Sequence, residues 1–381
     1  MPLKGIKVLE LAGLAPAPFC GMILTDFGAS VIRVDKLGTS FMSDPLGNGK
    51  RSIALDIKNK EGQIIFKKLS DKSDVIIDPF RPGVMERLML GPNELMSTNK
   101  RLIYARLTGF GQSGPYSNMA GHDINYLALS GLLSLFGRAN EKPTAPVNFA
   151  ADFAGGGLIC AFGILLSLLE RTKSGLGQVI DASMVEGAAY VGSWLFRSQN
   201  MPFLWNNPRG ENLLDTGTHF YDTYETKDNK FMSVGALEPQ FYEQFIQKLG
   251  LSTEEISQYN EFEEKRSKIS TIFKSKTQAE WCDIFNGTDA CVVPVVNINE
   301  AALHPHNKSR QSFLVDKNNL VIPNSVPKLS RTPGKSAAVL RNPEVGKHTT
   351  EILLELNYSA KMIKNLLSSG IVKQFQKRAK L

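Results

Sequence analysis

His122 is one of two side chains in this sequence whose type and setting could support acid–base chemistry. It follows a glycine-rich stretch, residues 109–114, and precedes a segment in which apolar residues recur at helical spacing from Ile124 onward. This spacing predicts a helix that starts at about Asp123. His122 would then lie at the helix N-terminus, where backbone N–H groups point outward and favour negative charge. The structural alternative is a histidine packed in a turn.

Asp152 is the second such side chain. It lies between a polar loop and a strongly apolar helical segment that runs to about Leu169. An aspartate at a helix start is commonly an N-cap, so a purely structural role is the alternative here too. Three consecutive glycines follow at 155–157, and glycine is a poor helix former. Their presence indicates that backbone or ligand approaches this segment closely.

Short apolar runs and helical patterns alternate through the first half of the chain. They predict strands at 6–11, 30–34, 53–57, 74–78 and 101–107, and helices at about 19–26 and 61–69. Strands separated by helices predict an α/β fold with a Rossmann-like, doubly wound, mostly parallel sheet. Ligands of such sheets bind at the carboxyl ends of the strands. The fingerprint G-x-G-x-x-G does not follow the first strand, which disfavours a standard NAD or FAD enzyme.

The second half of the chain predicts a smaller α+β domain. Alternating residues on both sides of Lys227, Asp228 and Asn229 predict a β-hairpin. The predicted elements are strands at 220–226, 231–234 and 291–296 and helices at 239–249, 277–285, 344–356 and 359–368. The predicted division is a large domain at 1–200 and 331–381, a small domain at 216–304, and linkers at 201–215 and 305–330.

Composition and charge limit the classes of partner. The chain has 381 residues and a net charge of +7 without long basic runs, so we expect a polyanionic small molecule and no nucleic acid. The four cysteines form no C-x-x-C pair, which predicts buried thiols, a reducing compartment and no metal site. The longest apolar stretch, 158–169, has 12 residues, fewer than the ~20 that span a membrane, and predicts a buried core helix.

Five stretches of the sequence together resemble one known family. They read VLELAGLAP (8–16), IYARLTGFGQ (103–112), GHDINY (121–126), ADFAGGG (151–157) and VGALEPQFY (234–242). The family is that of the α-methylacyl-CoA racemases, within the family III coenzyme A transferases, and the resemblance covers essentially the whole chain. It implies an interlocked homodimer, with each active site between the large domain of one subunit and the small domain of the other. Long linkers on both sides of the small domain fit that arrangement.

The resemblance implies catalytic roles for three residues. His122 and Asp152 match the family's two bases, and Glu238 matches its supporting glutamate. Inversion of a carbon next to a thioester needs one base to remove the α-proton and an acid on the opposite face to return one. The intermediate enolate needs a hydrogen-bond donor, and the backbone N–H of Asp123 is the candidate. Glu238 would orient His122 or tune its charge. Proton transfer needs neither a metal nor a redox cofactor.

The same resemblance implies a set of contacts with coenzyme A. Basic side chains would meet the phosphates, a short backbone stretch the adenine, and the segment at the predicted helix start the pantetheine and thioester. The expected substrate-binding residues are Lys36, Leu55, Asp56, Ile57, Lys58, Arg81, Arg87, Gly121, His122, Asp123, Ile124, Asn125 and Tyr126. Lys36 departs from the family, in which arginine is more common, and lacks the planar surface that stacks on adenine.

The implied activity is the interconversion of (R)- and (S)-2-methylacyl-CoA thioesters, which supplies the β-oxidation of branched-chain fatty acids and bile-acid intermediates. One alternative is a family III CoA-transferase, in which Asp152 attacks a thioester as a nucleophile and His122 is not required. A second alternative is a catalytically inactive acyl-CoA binding protein. The presence of both His122 and Asp152 favours the racemase.

The C-terminus predicts a cellular location. The sequence ends Ala379-Lys380-Leu381, close to the Ser-Lys-Leu peroxisomal address, after the basic pair Lys377 and Arg378. This ending predicts recognition by a peroxisomal import receptor and location in the peroxisome, with a mitochondrial pool left open.

Overall fold

A computed structural model describes residues 1–38, 45–316 and 319–376, so the predicted targeting tripeptide Ala379-Lys380-Leu381 lies outside the described residues. The chain forms two compact units. The first comprises Met1–Ser130, Pro146–Val191 and Pro305–Leu381, and the second comprises Gly131–Ala145 and Gly192–His304. Residues 131–145 therefore belong to the second unit and residues 305–330 to the first, a division that the sequence patterns did not indicate.

The helices and strands of the described residues are as follows. The strands are β1 (Lys7–Leu11), β2 (Ser30–Asp35), β3 (Arg51–Leu55), β4 (Val75–Asp78), β5 (Ile103–Thr108), β6 (Val179–Ser183), β7 (Tyr221–Glu225), β8 (Phe231–Gly235), β9 (Val292–Pro294), β10 (Phe313–Val315), β11 (Val321–Pro323) and β12 (Val372–Lys373). The α-helices are α1 (Pro16–Asp26), α2 (Lys60–Asp71), α3 (Val84–Arg87), α4 (Pro92–Thr98), α5 (Asp123–Leu129), α6 (Ile159–Ser174), α7 (Met184–Val191), α8 (Ser193–Arg197), α9 (Pro239–Lys248), α10 (Phe262–Phe273), α11 (Gln278–Phe285), α12 (Pro305–Ser309), α13 (Thr349–Glu355) and α14 (Ala360–Ser368). A π-helix, Phe149–Leu158, runs directly into α6.

The main sheet of the first unit has seven described strands in the order β12-β3-β2-β1-β4-β5-β6. All its pairings are parallel except that of β12, which runs antiparallel to β3 at one edge. The central strand β1 places Val8 opposite Val31 of β2 and Val75 of β4. The order 3-2-1-4-5-6 of the parallel strands is doubly wound, with its switch point between β1 and β4. The predicted α/β, Rossmann-like class is confirmed.

Strands β1, β4 and β5 are buried along almost their whole length because helices cover both faces of a parallel sheet. The strand predicted at 53–57 is displaced, since β3 already ends at Leu55. The chain must turn there, because Asn59 caps α2 and its side-chain oxygen accepts the N–H of Glu61 at 2.9 Å. Strands β6 and β12 were missed. β12 has only two residues, and the sequence of β6, VIDAS, is too short and too mixed in polarity to stand out as an apolar run.

The second unit contains a three-stranded antiparallel sheet in the order β7-β8-β9. The predicted hairpin is present, and Asn229 in its turn has a positive φ of 56°. Helices α9, α10 and α11 cover one face of this sheet, with Phe245, Phe273 and Trp281 in the core. Helix α10 was not predicted from the sequence. In the first unit, residues 305–330 contain α12 and the β10–β11 hairpin instead of a plain linker.

The long apolar helix of the first unit begins earlier than its sequence indicates and is only partly buried. The π-helix and α6 form one helical stretch, Phe149–Ser174, of 26 residues, which is long and apolar enough to cross a membrane by length and composition alone. The prediction of a buried core helix holds for one face of the helix and is wrong for the other. Ile164 is buried, but Phe162, Leu166 and Leu169 are about half exposed. The reason is that α6 packs against β5, β6 and α1 on one face, while its opposite face is not covered by any of the described residues.

Candidate active site

The first predicted base lies at the start of a short helix near the carboxyl end of β5. Helix α5 begins at Asp123, as its spacing predicted, and His122 occupies the N-cap position with extended backbone. The side-chain oxygen of Asn125 accepts the backbone N–H of His122 at 3.1 Å. This bond fixes the backbone direction at the helix start. His122 is exposed, so its ring is accessible to a ligand.

The second predicted base lies in the π-helix that precedes α6. Asp152 is buried, with 7% of its surface exposed, although it is ionisable. The glycines that follow let this helix approach other backbone: a Cβ on Gly155 would lie 2.3 Å from the backbone N of Ala188, and one on Gly187 would lie 1.8 Å from the carbonyl O of Gly155. The close approach indicated by the glycines is therefore one of backbone to backbone, between the π-helix and α7.

Asp123 connects the two bases. Its Oδ2 accepts the backbone N–H groups of Ala151 and Asp152 at 2.7 and 2.8 Å. His122 is its neighbour in the chain, so a single residue links the segment of one base to the segment of the other. The sequence pattern pointed to the backbone N–H of Asp123 and not to this role of its side chain. An acidic residue directly after a candidate base was the available signal.

The setting of Asp152 favours proton transfer near neutral pH. Burial, together with the negative charge of Asp123, raises the pKa of the Asp152 carboxyl to about 6, and the charge of His122 acts in the opposite direction. The group can therefore release and take up a proton at physiological pH, as a general base or acid requires.

Tyr126 supports the loop that leads into α5. Its hydroxyl donates to the carbonyl O of Gly121. Its ring fills the space beside two glycines, since a Cβ on Gly109 would lie 2.1 Å from the ring and one on Gly121 would lie 2.7 Å from it. The ring also makes an edge contact with Phe110, with centroids 5.0 Å apart. The glycines of this loop are thus needed for packing against Tyr126.

An apolar cleft of about 370 Å³ opens beside α5. Its lining residues are Phe110, Tyr116, Met119, Ala120, Asn125, Ala128 and Leu129. Tyr116, Met119 and Leu129 are about half exposed, which is unusual for large apolar side chains gathered in one place. This cleft was not predicted from the sequence, because its residues come from a loop and a helix with no shared periodicity.

Buried polar residues at the ends of β4 and β5 hold the segment that carries Arg81. Asp78, the last residue of β4, accepts the hydroxyl of Tyr104 at 3.2 Å and a backbone N–H two residues further on at 2.9 Å. Arg106 of β5 donates to both carboxylate oxygens of Glu86 in α3, at 2.7 and 3.2 Å. The segment between β4 and α3 is therefore fixed at both ends. This network was not predicted from the sequence, although polar residues in otherwise apolar strands were a signal for it.

The structure brings some of the predicted coenzyme A contacts to the site. Arg81 donates to the carbonyl O of Asn118 at 3.1 Å. Burial and the charge of Asp152 raise the pKa of the Tyr126 hydroxyl, and the charge of Arg81 acts in the opposite direction. Arg87 is the last residue of α3, the helix that follows Arg81 in the chain, and is exposed.

The other predicted contacts lie at neighbouring strand ends. Lys36 directly follows β2, and the stretch after β3 turns sharply, with the side chain of Asp56 accepting the N–H of Lys58 at 3.0 Å. Both lysines are exposed. Leu55, the last residue of β3, is buried, and Ile57 packs beside the core. Of the α5 segment, Gly121 is half-buried, whereas Ile124 and Asn125 are exposed.

Glu238 lies in the second unit, at the N-cap position of α9, and is exposed. Its interaction with His122 stays a prediction. Among the described residues, no group of three or more histidine, cysteine, aspartate and glutamate side chains is arranged to hold a metal ion.

Comparison with known proteins decides the family. The sequence matches the model of CoA-transferase family III over residues 3–349. The chain belongs to CoA-transferase family III. It is 53% identical to the mouse α-methylacyl-CoA racemase and 51% identical to the human one, in both cases over the full length of both chains. A CaiB/BaiF family protein from Brucella suis has the same fold, with a TM-score of 0.77 at 23% identity over 93% of this chain and 99% of the other.

The raised pKa of Asp152 predicts a pH-dependent stability difference between the protein and its Asp152→Asn variant. The folded-state pKa of about 6 lies above the unfolded value, so stability is lost as pH rises from about 4 to about 6. The variant lacks this loss. We expect it to be about 1–3 kcal/mol more stable than wild type near pH 8, with no such gain near pH 4. Denaturant unfolding at both pH values measures the difference, and an equal effect at both would contradict the assignment.

Proposed function

We propose that this chain interconverts (R)- and (S)-2-methylacyl-CoA thioesters by a two-base proton transfer. The observation that carries the proposal is a buried carboxylate with a pKa of about 6, that of Asp152, under the electrostatic influence of His122 at the start of α5. Sequence identity of about one half with two racemases over the full chain supports the same activity.

Each base has one task in each direction. One base takes the α-proton, and the electrons of the broken C–H bond move into the thioester to form an enolate. The other group then gives a proton to the opposite face of the same carbon, and the enolate collapses to the inverted thioester. His122 and Asp152 exchange these tasks in the reverse direction. The backbone N–H of Asp123, the first residue of α5, is the proposed donor to the enolate oxygen. No metal or redox cofactor is needed.

The substrate would lie across the carboxyl ends of the strands. Arg81, Arg87 and Lys58, with Lys36, supply positive charge for the phosphates of coenzyme A. The apolar cleft beside α5 suits the acyl chain, because it offers an exposed hydrophobic surface along the helix that His122 caps.

The racemase is favoured over a CoA-transferase by the surroundings of Asp152. A nucleophilic aspartate works best when ionised, whereas burial and the neighbouring charge of Asp123 both disfavour ionisation of Asp152. A proton donor and acceptor benefits from the same surroundings.

A homodimer is the proposed assembly. The uncovered face of α6 is a continuous apolar surface that includes Phe162, Leu165, Leu166 and Leu169. Surfaces of this kind are commonly buried against a partner. A second copy of the chain would cover this surface and bring Glu238 of the partner toward the site, as the family's interlocked arrangement implies.

The proposed location is the peroxisome, through recognition of Ala379-Lys380-Leu381 by an import receptor.

His122→Ala and Asp152→Ala should each abolish racemisation, because inversion needs both bases. With a single enantiomer of a 2-methylacyl-CoA in heavy water, each variant should retain less than about a hundredth of the wild-type racemisation rate. Deuterium incorporation without inversion could survive in one of them. A His122→Ala variant that transfers coenzyme A to a carboxylic acid at the wild-type rate would instead support the transferase.

The apolar face of α6 predicts self-association. Light scattering should give twice the mass of one chain, and Leu166→Lys should shift the protein toward monomer because it places a charge in the proposed interface. Leu354→Lys is the matched control, since Leu354 is similarly exposed but lies on α13. A monomeric wild-type protein would contradict the proposal.

Removal of Ala379-Lys380-Leu381 should leave the enzyme in the cytosol with unchanged activity, because a receptor reads the ending as an address. Imaging of cells that express an N-terminally tagged protein, with and without the tripeptide, tests this. Identical distributions of the two forms would rule the address out.

A further inference from the structure

The side chain of Asp123 is an uncommon buried carboxylate. It is 1% exposed, and only one of its oxygens is well satisfied. Oδ2 accepts two backbone N–H groups, whereas Oδ1 is buried without a hydrogen-bond partner among the described residues. A buried polar atom left in this state destabilises a fold, so the arrangement points to a functional reason.

The position of its two partners indicates that reason. The first N–H groups of a helix have no acceptor within the helix. Ala151 and Asp152 lie in the first turn of the π-helix, and both donate to Asp123. The capping group therefore comes from the neighbour of His122 in sequence, and not from the loop that precedes the π-helix.

We propose that Asp123 is a positioning residue that holds the backbone of Asp152 at a fixed distance from His122. The inference rests on the two-base function proposed above. Because His122 and Asp123 are consecutive, α5 and the π-helix cannot separate without breaking two hydrogen bonds to a charged acceptor. The two bases must face opposite sides of one carbon atom, so a small displacement of either would slow the reaction.

The charge of Asp123 has a second, separable effect. It disfavours ionisation of Asp152, while His122 favours it. Tyr126 of α5 also interacts with Asp152. On the other packed helices, Glu186 of α7 is exposed, and Asp26 of α1 is bound to the distant 3₁₀ turn near residue 337. Asp123 is thus the acidic group that acts on Asp152 among the described residues around it.

Two substitutions separate position from charge. Asp123→Ala removes both, whereas Asp123→Asn keeps an oxygen that can accept the two N–H groups but removes the charge. We expect Asp123→Ala to lower kcat at least about tenfold with KM changed less than about threefold. Asp123→Asn should keep most of kcat and move the acidic limb of the pH–rate profile to lower pH, because the pKa of Asp152 falls when a like charge is removed.

A readout independent of activity uses stability. In wild type, Asp152→Asn should stabilise the fold at high pH. In an Asp123→Asn background this gain should shrink and its midpoint should move to lower pH. If the wild-type protein failed to racemise its substrate, the proposed function would be wrong. The stability comparison of Asp152→Asn in the two backgrounds would still test the link between Asp123 and Asp152.

Asp26 provides the matched control, because it is a buried aspartate that accepts a backbone N–H, from Ala337, at 2.8 Å outside the site. Asp26→Ala should lower the unfolding temperature and leave kcat and the pH profile unchanged. Three results would overturn the inference: wild-type kcat in Asp123→Ala, an equal loss of kcat in Asp123→Asn and Asp123→Ala, or the same loss in Asp26→Ala.

Discussion

The contact between the backbones of Gly155 and Gly187 is the constraint on which the site depends. Each glycine occupies space that the other's Cβ would need, so the π-helix and α7 lie against each other without intervening side chains. A third glycine, Gly157, allows the same approach to Pro16 of α1. The π-helix therefore packs against α1 on one side and α7 on the other, and Asp152 within it is buried.

This burial opposes stability and favours catalysis at the same time. An ionisable group away from water is expensive to charge, which is why its pKa rises into the range useful for proton exchange near pH 7. Tight glycine packing and the two backbone hydrogen bonds that Asp123 accepts hold the segment in place against this cost. Burial does not set the properties of His122, because this residue is exposed. Its position is fixed by the start of α5, where it is the N-cap residue.

Much of this arrangement could be predicted from the sequence, because the strong patterns are local. The apolar runs identified the parallel strands, and the spacing after Ile124 located the start of α5. The π-helix could not be found in this way, since its turn differs from the period of 3.6 residues by which helices are detected. The side-chain role of Asp123 and the network around Asp78 join residues far apart in sequence, and no spacing encodes such contacts. The exposure of α6 was missed because a buried helix and an interface helix have the same composition.

The covalent link between His122 and Asp123 also limits how the enzyme can change. If one residue anchors both bases, neither can be moved alone, so variation during evolution or in the laboratory must occur elsewhere. The apolar cleft offers that freedom. Tyr116 and Met119 come from a surface loop and, within the described part of the chain, form no hydrogen bond with either base, so they can be exchanged for smaller or larger side chains. The acyl groups accepted could thus diversify while the chemistry stays fixed.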